Sequence, residues 1–502
     1  MIAASAVAVV MVVPLVHLVF RATEASDPAG LVFSARVGRF VANTVSLGVA
    51  VTAAAVVLGV GMAWLLERTD LPLRPLLGAI APLPLVVPTY VGALAALSAF
   101  GPTGIVARVP GIVGFWGSFI VLSLSTYPYV LLPARAALRG LDPALEEAAR
   151  ALGDRRWRVA AGVVLPQLRL AVLAGGLLSF LYVLSDFGAV AMMRYDTLTR
   201  AIFLEYRSSF DRAPAALLAT LLVVLTLAAI TIERRLRGRA SVARAVAGVG
   251  RPQLTPLGWA RWPAAGGVLL VVTGGLGVPV GVSAYWAITG GSARDPWSVL
   301  GRAAVTSMSW SAAAALAAVV LSVPVAFLAV RHRSRVSQGI EALSLSGYAL
   351  PGLVIALALV FIAARFLPGI YQTGWLVVMA YVVRFFPESL GAVRTSLGQV
   401  DPALEDAARS LGRSRLSAVS TVTVPLIRPG LLAGGALVFL TAMKELPATL
   451  LLRPAGADTL AVRVWTGASE GRYAQAAPAA LILVAASSLV LWAMRSTPRS
   501  TS

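Results

Sequence analysis

Cysteine is absent from this chain of 502 residues, lysine occurs once and histidine twice. Without thiols, the chain has no disulfide framework, no zinc–thiolate site and no iron–sulfur ligand set. His17 and His332 are too far apart in the sequence to suggest a metal cage. A phosphate-binding loop needs a Gly-rich turn that ends in Lys and then Ser or Thr, whereas Lys444 is followed by Glu445. We therefore expect no metal, no cofactor and no ATPase site in this chain.

Charged residues are also scarce, at 13% of the chain, whereas hydrophobic residues make up 58% and the mean hydropathy is +0.83. A soluble domain would carry charge on about a quarter of its residues. A membrane-spanning helix needs roughly 20 apolar residues. Twelve stretches meet this requirement, near 2–20, 41–66, 76–100, 115–134, 170–193, 214–232, 264–288, 303–330, 340–364, 375–393, 430–451 and 475–494. The composition therefore predicts an all-α polytopic membrane protein.

The charge that is present is strongly positive, with 42 basic residues against 22 acidic ones. A nucleic-acid-binding module would need arginines clustered on a soluble stretch with aromatic residues between them, and no polar stretch here is long enough. If both termini are cytoplasmic, the loops on that side hold 26 of the 41 arginines, the bias expected of the cytoplasmic face. The charge therefore predicts a lipid bilayer around the chain, no nucleic-acid partner and cytoplasmic termini.

The chain contains an internal repeat. The segment LDPALEEAARALG, which begins at Leu141, matches VDPALEDAARSLG, which begins at Val400, at an offset of 259 residues. Upstream, Pro88 matches Pro351 at an offset of 263, which indicates a shorter intervening loop in the second copy. The match is too close for chance and predicts that one six-span unit occurs twice.

This duplication sets the expected domain organisation. Because six is an even number, both repeated loops lie on the same face of the membrane, and the two halves should be related by a pseudo-twofold axis along the membrane normal. The predicted segments are a first half at 1–232, a cytoplasmic linker at 233–263, a second half at 264–494 and a cytoplasmic tail at 495–502.

Each repeated loop carries the signals of a short helix. Asp142 and Asp401 each precede a proline, so an N-cap side chain stands before proline at the first helical position. Gly153 and Gly412 supply the stop. The apolar residues between them share one helix face: Leu145, Ala148, Ala149 and Leu152, then Leu404, Ala407, Ala408 and Leu411. This face either packs on the chain's own membrane domain or docks on another protein, and the duplication favours docking.

A longer motif runs through both loops. Its residues are Glu147, Ala148, Ala149, Gly153, Leu165 and Pro166 within 141–166, and Asp406, Ala407, Ala408, Gly412, Val424 and Pro425 within 400–425. This motif resembles the EAA loop of permease subunits of bacterial ATP-binding-cassette (ABC) importers. The second copy has Asp for Glu and Val for Leu, which keeps the charge sign and the apolar character.

The resemblance implies a transport subunit rather than an enzyme, in the bacterial inner membrane. Each loop would form a coupling helix that docks on a cytoplasmic ATPase, with two copies of the ATPase per chain and with ATP and Mg²⁺ bound on that partner. An extracytoplasmic substrate-binding protein would deliver the substrate. A proton-driven secondary transporter would share the six-plus-six plan but would not need the duplicated loop helices, and matched acids within the spans disfavour a non-transporting scaffold.

Charged residues within the spans are candidates for function, because each costs about 2.5–3.5 kcal/mol on insertion scales. Asp186 and Glu445 occupy matched places in the fifth and eleventh spans, and Lys444 precedes Glu445. These three residues either line a translocation pathway between the halves or play structural roles near helix ends. Arg384 and Glu388, four residues apart, are interpreted as a structural ion pair.

The substrate class follows from a finer resemblance. The segments 185–190, 194–197 and 444–454 are similar to fused permeases of ferric-iron importers. Acidic residues on a cation pathway fit this assignment, and a pathway needs only transient contacts. Fused permeases for thiamine have the same plan, so the sequence leaves ferric iron and thiamine, or another small solute, as alternatives.

Overall fold

The computed structural model of this chain describes residues 1–24, 27–208, 211–237, 254–291, 294–332 and 334–496. Residues 238–253, most of the predicted linker, and 497–502, most of the predicted tail, lie outside the described residues. The described part is helical, apart from loops and one parallel bridge between Thr69 and Thr255.

The helices follow one another in the order that the repeat predicts. Those before the linker are α1 Ile2–Ala22, α2 Pro28–Val32, α3 Ala35–Arg68, α4 Arg74–Ile80, α5 Thr89–Phe100, α6 Phe115–Gly140, α7 Pro143–Ala151, α8 Arg156–Val159, α9 Leu165–Ser185, α10 Gly188–Met192, α11 Leu198–Ser208 and α12 Ala213–Arg237. Those after it are α13 Arg261–Val272, α14 Val278–Thr289, α15 Trp297–Arg331, α16 Arg335–Ser344, α17 Gly352–Phe366, α18 Gly374–Leu397, α19 Pro402–Ser410, α20 Arg415–Ala418, α21 Val424–Met443, α22 Pro447–Leu452, α23 Leu460–Ser469 and α24 Tyr473–Ser496.

Among the described residues, ten helices are long and apolar enough to cross a membrane, and two further pairs meet the requirement together, which makes up to twelve spans. The number that the sequence predicts is thus confirmed if each pair is one span. The spans predicted near 76–100 and 340–364 are broken rather than continuous helices, because these pairs bend by 95° and 98°. Pro88 and Pro351 stand at the bends with extended backbone, and proline has no N–H to continue a helix.

The helices form two compact units. Unit I consists of Phe33–Ala201 and Val224–Trp286, and unit II of Met1–Val32, Ile202–Val223 and Ala287–Ser502. The first span of each sequence half belongs to the unit that holds most of the other half, and Ile202–Val223 of the first half also belongs to unit II. The predicted halves therefore describe the duplication in the sequence, whereas the compact units exchange their first spans.

Unit I is built around α3, α6 and α9, and α13 completes its core. Leu66, Tyr127, Leu131 and Leu168 are almost completely buried there, together with Val268 of α13. Small residues allow close helix contacts in a membrane. Ala55 and Ala63 of α3 and Ala134 of α6 are fully buried in this core, so the two helices lie close together where they approach the first repeated loop.

Unit II has the corresponding arrangement of α15, α18 and α21, with α1 packed against α15, α16 and α17. Gly434 of α21 matches Gly175 of α9 in the repeat, and both lie against a neighbouring backbone. A Cβ added at Gly175 would lie 2.7 Å from the carbonyl oxygen of Tyr129, and one at Gly434 would lie 3.1 Å from the Cα of Ser389. The duplicated glycines thus preserve the same close helix crossing in both units.

Candidate functional site: two loop helices and the broken spans

The two repeated loops form the short helices α7 and α19, and the predicted start and stop signals are confirmed. The Asp142 carboxylate accepts a hydrogen bond of 3.0 Å from the amide two residues on, and Asp401 does the same at 2.9 Å. Gly153 and Gly412 follow the helix ends with φ of +91° and +86°. Glycine adopts this conformation without the steric cost that a Cβ brings.

The outward face of each loop helix exposes both apolar and acidic side chains. Leu152 and Leu411 are 88% and 86% exposed, and Leu404 is 46% exposed. Of the acidic motif residues, Glu147 is exposed and the Asp406 side chain is 73% exposed. Leu152 and Leu411 of the predicted apolar stripe therefore do not pack on the chain's own membrane domain, and Leu404 does so only in part.

The inward face of each loop helix is held by an ion pair, which is buried in unit I and partly buried in unit II. In unit I, Glu146 of α7 lies 3.0 Å from Arg68 at the end of α3. In unit II, Glu405 of α19 lies 3.1 Å from Arg331 at the end of α15. Ala408 is also turned inward and is 8% exposed, whereas Ala148 and Ala407 are exposed and Ala149 is half-buried. Each loop helix thus has one face bound to its own unit and one face open.

The last motif residues lie where the next span begins. Leu165 and Pro166 open α9, and Val424 and Pro425 open α21, in each case directly after a π-helical turn. Proline at the second helical position loses no hydrogen bond, since the first amides of a helix lack partners within it. This part of the motif therefore lies where the next span starts, and Leu165, Pro166 and Pro425 are exposed there.

Asp186 lies at a break that the sequence analysis did not predict within the fifth span. Its Oδ1 accepts hydrogen bonds from the amides of Ala189 and Val190, at 3.0 and 3.4 Å, at the start of α10. Its Oδ2 accepts a bond of 2.5 Å from the Thr89 hydroxyl, and Thr199 donates to its carbonyl oxygen at 2.7 Å. Asp186 is only 8% exposed. Its carboxylate and its carbonyl oxygen together join three segments of the chain.

Glu445 occupies the matching break in the eleventh span, between α21 and α22. Its Oε1 accepts bonds from the Arg384 guanidinium at 2.6 Å and from the amide of Ala448 at 3.2 Å. Thr449, four residues further on, donates to its carbonyl oxygen at 2.8 Å. Both acids therefore hold a helix break, and their place in a translocation pathway stays a prediction.

The ion pair interpreted between Arg384 and Glu388 is wrong, because Arg384 binds Glu445 instead. Glu388 accepts a hydrogen bond of 3.0 Å from the Thr441 hydroxyl and interacts electrostatically with Lys444, the residue that ends α21. The spacing of four residues on α18 did not decide the partners, because α21 approaches α18 and brings other partners to both side chains. A buried carboxylate is stabilised most by a partner that also satisfies its hydrogen bonds.

Four residues that hold these sites were missed in the sequence. They are Arg68 and Arg331, which match at an offset of 263, and Thr89 and Gly352, which match at the same offset and open the helices after the two bends. The signal was present, because the 263-residue offset was already defined by the prolines beside Thr89 and Gly352. The ion pairs themselves required the structure.

Similarity to known proteins agrees with this architecture. The sequence profile described as the inner membrane component of binding-protein-dependent transport systems matches the chain twice, at residues 55–242 and 318–499. The two matches correspond to the two copies of the repeat, and each contains one loop helix.

Among curated proteins, the chain is 35% identical over 488 residues to the Fe(3+)-transport system permease protein FbpB 2 of Haemophilus influenzae, covering 96% of this chain and 95% of that protein. It is 24% identical to the ferric transport system permease protein FbpB of Actinobacillus pleuropneumoniae over 80% of this chain, which spans 63% of that protein. It is 32% identical to the sulfate transport system permease protein CysT of Escherichia coli over 34% of this chain and 66% of that protein. The chain therefore belongs to the family of inner membrane components of binding-protein-dependent transport systems, and it is a multi-pass membrane protein.

Proposed function

We propose that this chain is the permease subunit of an ATP-driven ABC importer for ferric iron. The observation that carries the substrate is the match along nearly the whole chain to a permease named for Fe(3+) transport. The sulfate permease, by contrast, matches only about a third of the chain. Thiamine or another small solute is the alternative substrate, because fused permeases for thiamine have the same arrangement of six plus six spans.

Energy would come from a separate ATPase, because the only lysine of the chain is not part of a phosphate-binding loop. We place this partner on the surfaces around Leu152, directly after α7, and around Leu404 and Leu411, in and directly after α19. Exposed apolar side chains with polar residues beside them are typical of protein–protein contacts. Two equivalent helices provide two docking sites, which supports two ATPase copies, with ATP and Mg²⁺ bound there.

The orientation follows from the same proposal. Both loop helices, and the arginine-rich segment that joins the two copies of the repeat, would lie in the cytoplasm, as the arginine bias requires. The termini would then be cytoplasmic as well, and the substrate-binding protein would deliver its substrate on the opposite face.

Reconstitution of the chain with its ATPase and its binding protein in proteoliposomes tests this function. We expect uptake of radiolabelled ferric iron that needs ATP and the loaded binding protein and is insensitive to a proton ionophore. Labelled thiamine, given with a thiamine-loaded binding protein, serves as the matched comparison. Uptake that persists without ATP and stops with the ionophore would point to a secondary transporter and would contradict the proposal.

Asp186 and Glu445 are proposed to contact the cation as it passes. Asn caps a helix about as well as Asp, so Asp186→Asn removes the charge and keeps an acceptor for the α10 amides. We expect a several-fold slower iron uptake with an unchanged amount of folded protein in detergent. Normal uptake by this variant would leave Asp186 with its capping role alone. Asp211→Asn, which alters an exposed cap at the start of α12 and away from the loop helices, is the control.

A further inference from the structure

The two inward ion pairs of the loop helices are copies of one contact. Arg68 and Arg331 match at an offset of 263, whereas Glu146 and Glu405 match at 259, so both partners occupy repeat positions. In unit I the side chains of the pair are 3% and 9% exposed, and in unit II they are 12% and 18% exposed. The same contact thus forms twice, each time between the end of a long span and the inward face of a loop helix.

Each arginine also binds the chain that leads into its loop. Arg68 donates a hydrogen bond of 3.1 Å to the carbonyl oxygen of Leu138, near the end of α6. Arg331 donates at 3.0 Å to the carbonyl oxygen of Val400, directly before α19. In unit II the Thr423 hydroxyl, at the start of the span that follows, adds a bond of 2.9 Å to Glu405. The pair therefore joins the long span, the loop entry and the loop helix.

Burial makes this link strong. A guanidinium removed from water needs a charge partner close by, and loss of one partner leaves an uncompensated charge. Within the described part of the chain, Nε and Nη1 of Arg68 are buried and make no hydrogen bond. Glu146, which Arg150 of α7 also binds at 3.0 Å, is thus the carboxylate that compensates Arg68. The helices α3 and α7 cannot separate without exposing Arg68 or leaving it buried without this partner.

We propose that Arg68 and Arg331 are positioning residues that make α3 and α15 move as one body with the loop helices α7 and α19. This inference rests on the proposed function, because the ATPase would push on the outward face of each loop helix. The inward ion pair then carries that displacement to a membrane-spanning helix. The arginines touch neither substrate nor nucleotide in this role.

The first experiment removes the charges in pairs, so that no buried charge is left alone. Arg68→Met with Glu146→Gln, and Arg331→Met with Glu405→Gln, are combined in one chain, which is purified in complex with the ATPase. We expect normal assembly, and an amount of ATP hydrolysed per iron transported that rises about tenfold, since coupling between sites is typically 5–150-fold. The matched control is Arg394→Met with Glu341→Gln, an ion pair of unit II outside the loop helix.

The second measurement reports the link directly. Because the chain has no cysteine, spin labels can be placed at Val320→Cys on α15, which is 59% exposed, and at Ser410→Cys on α19, which is also exposed. In the parental chain we expect the same label-to-label distance in the nucleotide-free and the ATP-trapped complex. In the variant without ion pairs we expect the distance to broaden and to differ between the two states.

The outcomes separate the link from the docking sites. A parental complex that does not form with the ATPase contradicts the proposed function. If the parental complex transports iron, and the variants keep its ratio of ATP hydrolysed to iron transported and its label-to-label distance, only the positioning role is overturned. Variants that fold but no longer bind the ATPase also overturn the positioning role. The ion pairs would then shape the docking surface instead of transmitting the movement of the loop helix.

Discussion

Gly153→Val and Gly412→Val together are expected to reduce iron uptake to background while the chain remains inserted and folded in the membrane. Both glycines follow a loop helix at φ near +90°, a conformation that costs an L-residue roughly 1–2 kcal/mol and is worst for a β-branched one. A Cβ at either position meets nothing within 4 Å in the chain itself. The substitutions should therefore alter the backbone conformation of the loop and the docking of the ATPase on it.

A series of substitutions at the same two positions separates these effects. Asn tolerates positive φ better than Ala or Val, although its side chain is larger than that of Ala. Uptake in the order Asn above Ala above Val indicates that the backbone conformation matters most, whereas loss with Asn as severe as with Val indicates direct contact with the ATPase. The measurements are iron uptake and retention of the ATPase on the purified chain. Normal uptake by the double Val variant would remove the loops from the coupling mechanism.

How far the sequence predicts this molecule depends on the range of each signal. The caps of α7 and α19 were predictable, because Asp-Pro at one end and Gly at the other act within a few residues. The number of spans was predictable from apolar length, since lipid imposes that length. The exchange of first spans between the two units was not, because an apolar helix packs equally well against several apolar partners.

The candidate site shows the same division. The repeat located both loops and both intramembrane acids, but spacing on one helix assigned Arg384 to Glu388, whereas α21 brings Glu445 to it. Contacts across helices depend on how the helices cross, and no local pattern encodes that. The sequence did contain one further clue, because a glycine stands at 352 where the first copy has Thr89.

The difference between Thr89 and Gly352 leads to the second large expected effect, which is on stability. Thr89 and Gly352 each open the helix after a bend, and each lies beside the matched acid, Asp186 or Glu445. In unit I the Thr89 hydroxyl binds the carboxylate. In unit II a Cβ at Gly352 would lie 1.6 Å from Nη1 of Arg384 and 2.5 Å from Oε1 of Glu445. The missing side chain is therefore what admits the arginine.

Gly352→Thr is expected to be severely destabilising, by about 3–5 kcal/mol, because it expels Arg384 and leaves Glu445 buried without its ion-pair partner. This is a large part of the total stability of a folded protein, about 5–15 kcal/mol. Thermal unfolding in detergent and the folded fraction on size exclusion measure the loss. Gly391→Ala in α18, where a Cβ meets nothing within 4 Å, is the matched control and should be nearly neutral. If Gly352→Thr is as stable as the parental chain, Gly352 is not needed to make room for Arg384.

The first copy supplies the rescue. Its residues at the three matched positions are Thr89, Ser125 and Asp186, so the triple variant Gly352→Thr, Arg384→Ser, Glu445→Asp rebuilds in unit II the hydroxyl–carboxylate contact of unit I. We expect it to recover most of the stability lost by Gly352→Thr, whereas Arg384→Ser alone should stay unstable, since it leaves the buried glutamate without compensation. A triple variant no more stable than Gly352→Thr alone would show that the two breaks are not equivalent. Recovery would show that each copy of the repeat has kept one self-consistent way to hold a carboxylate at a helix break.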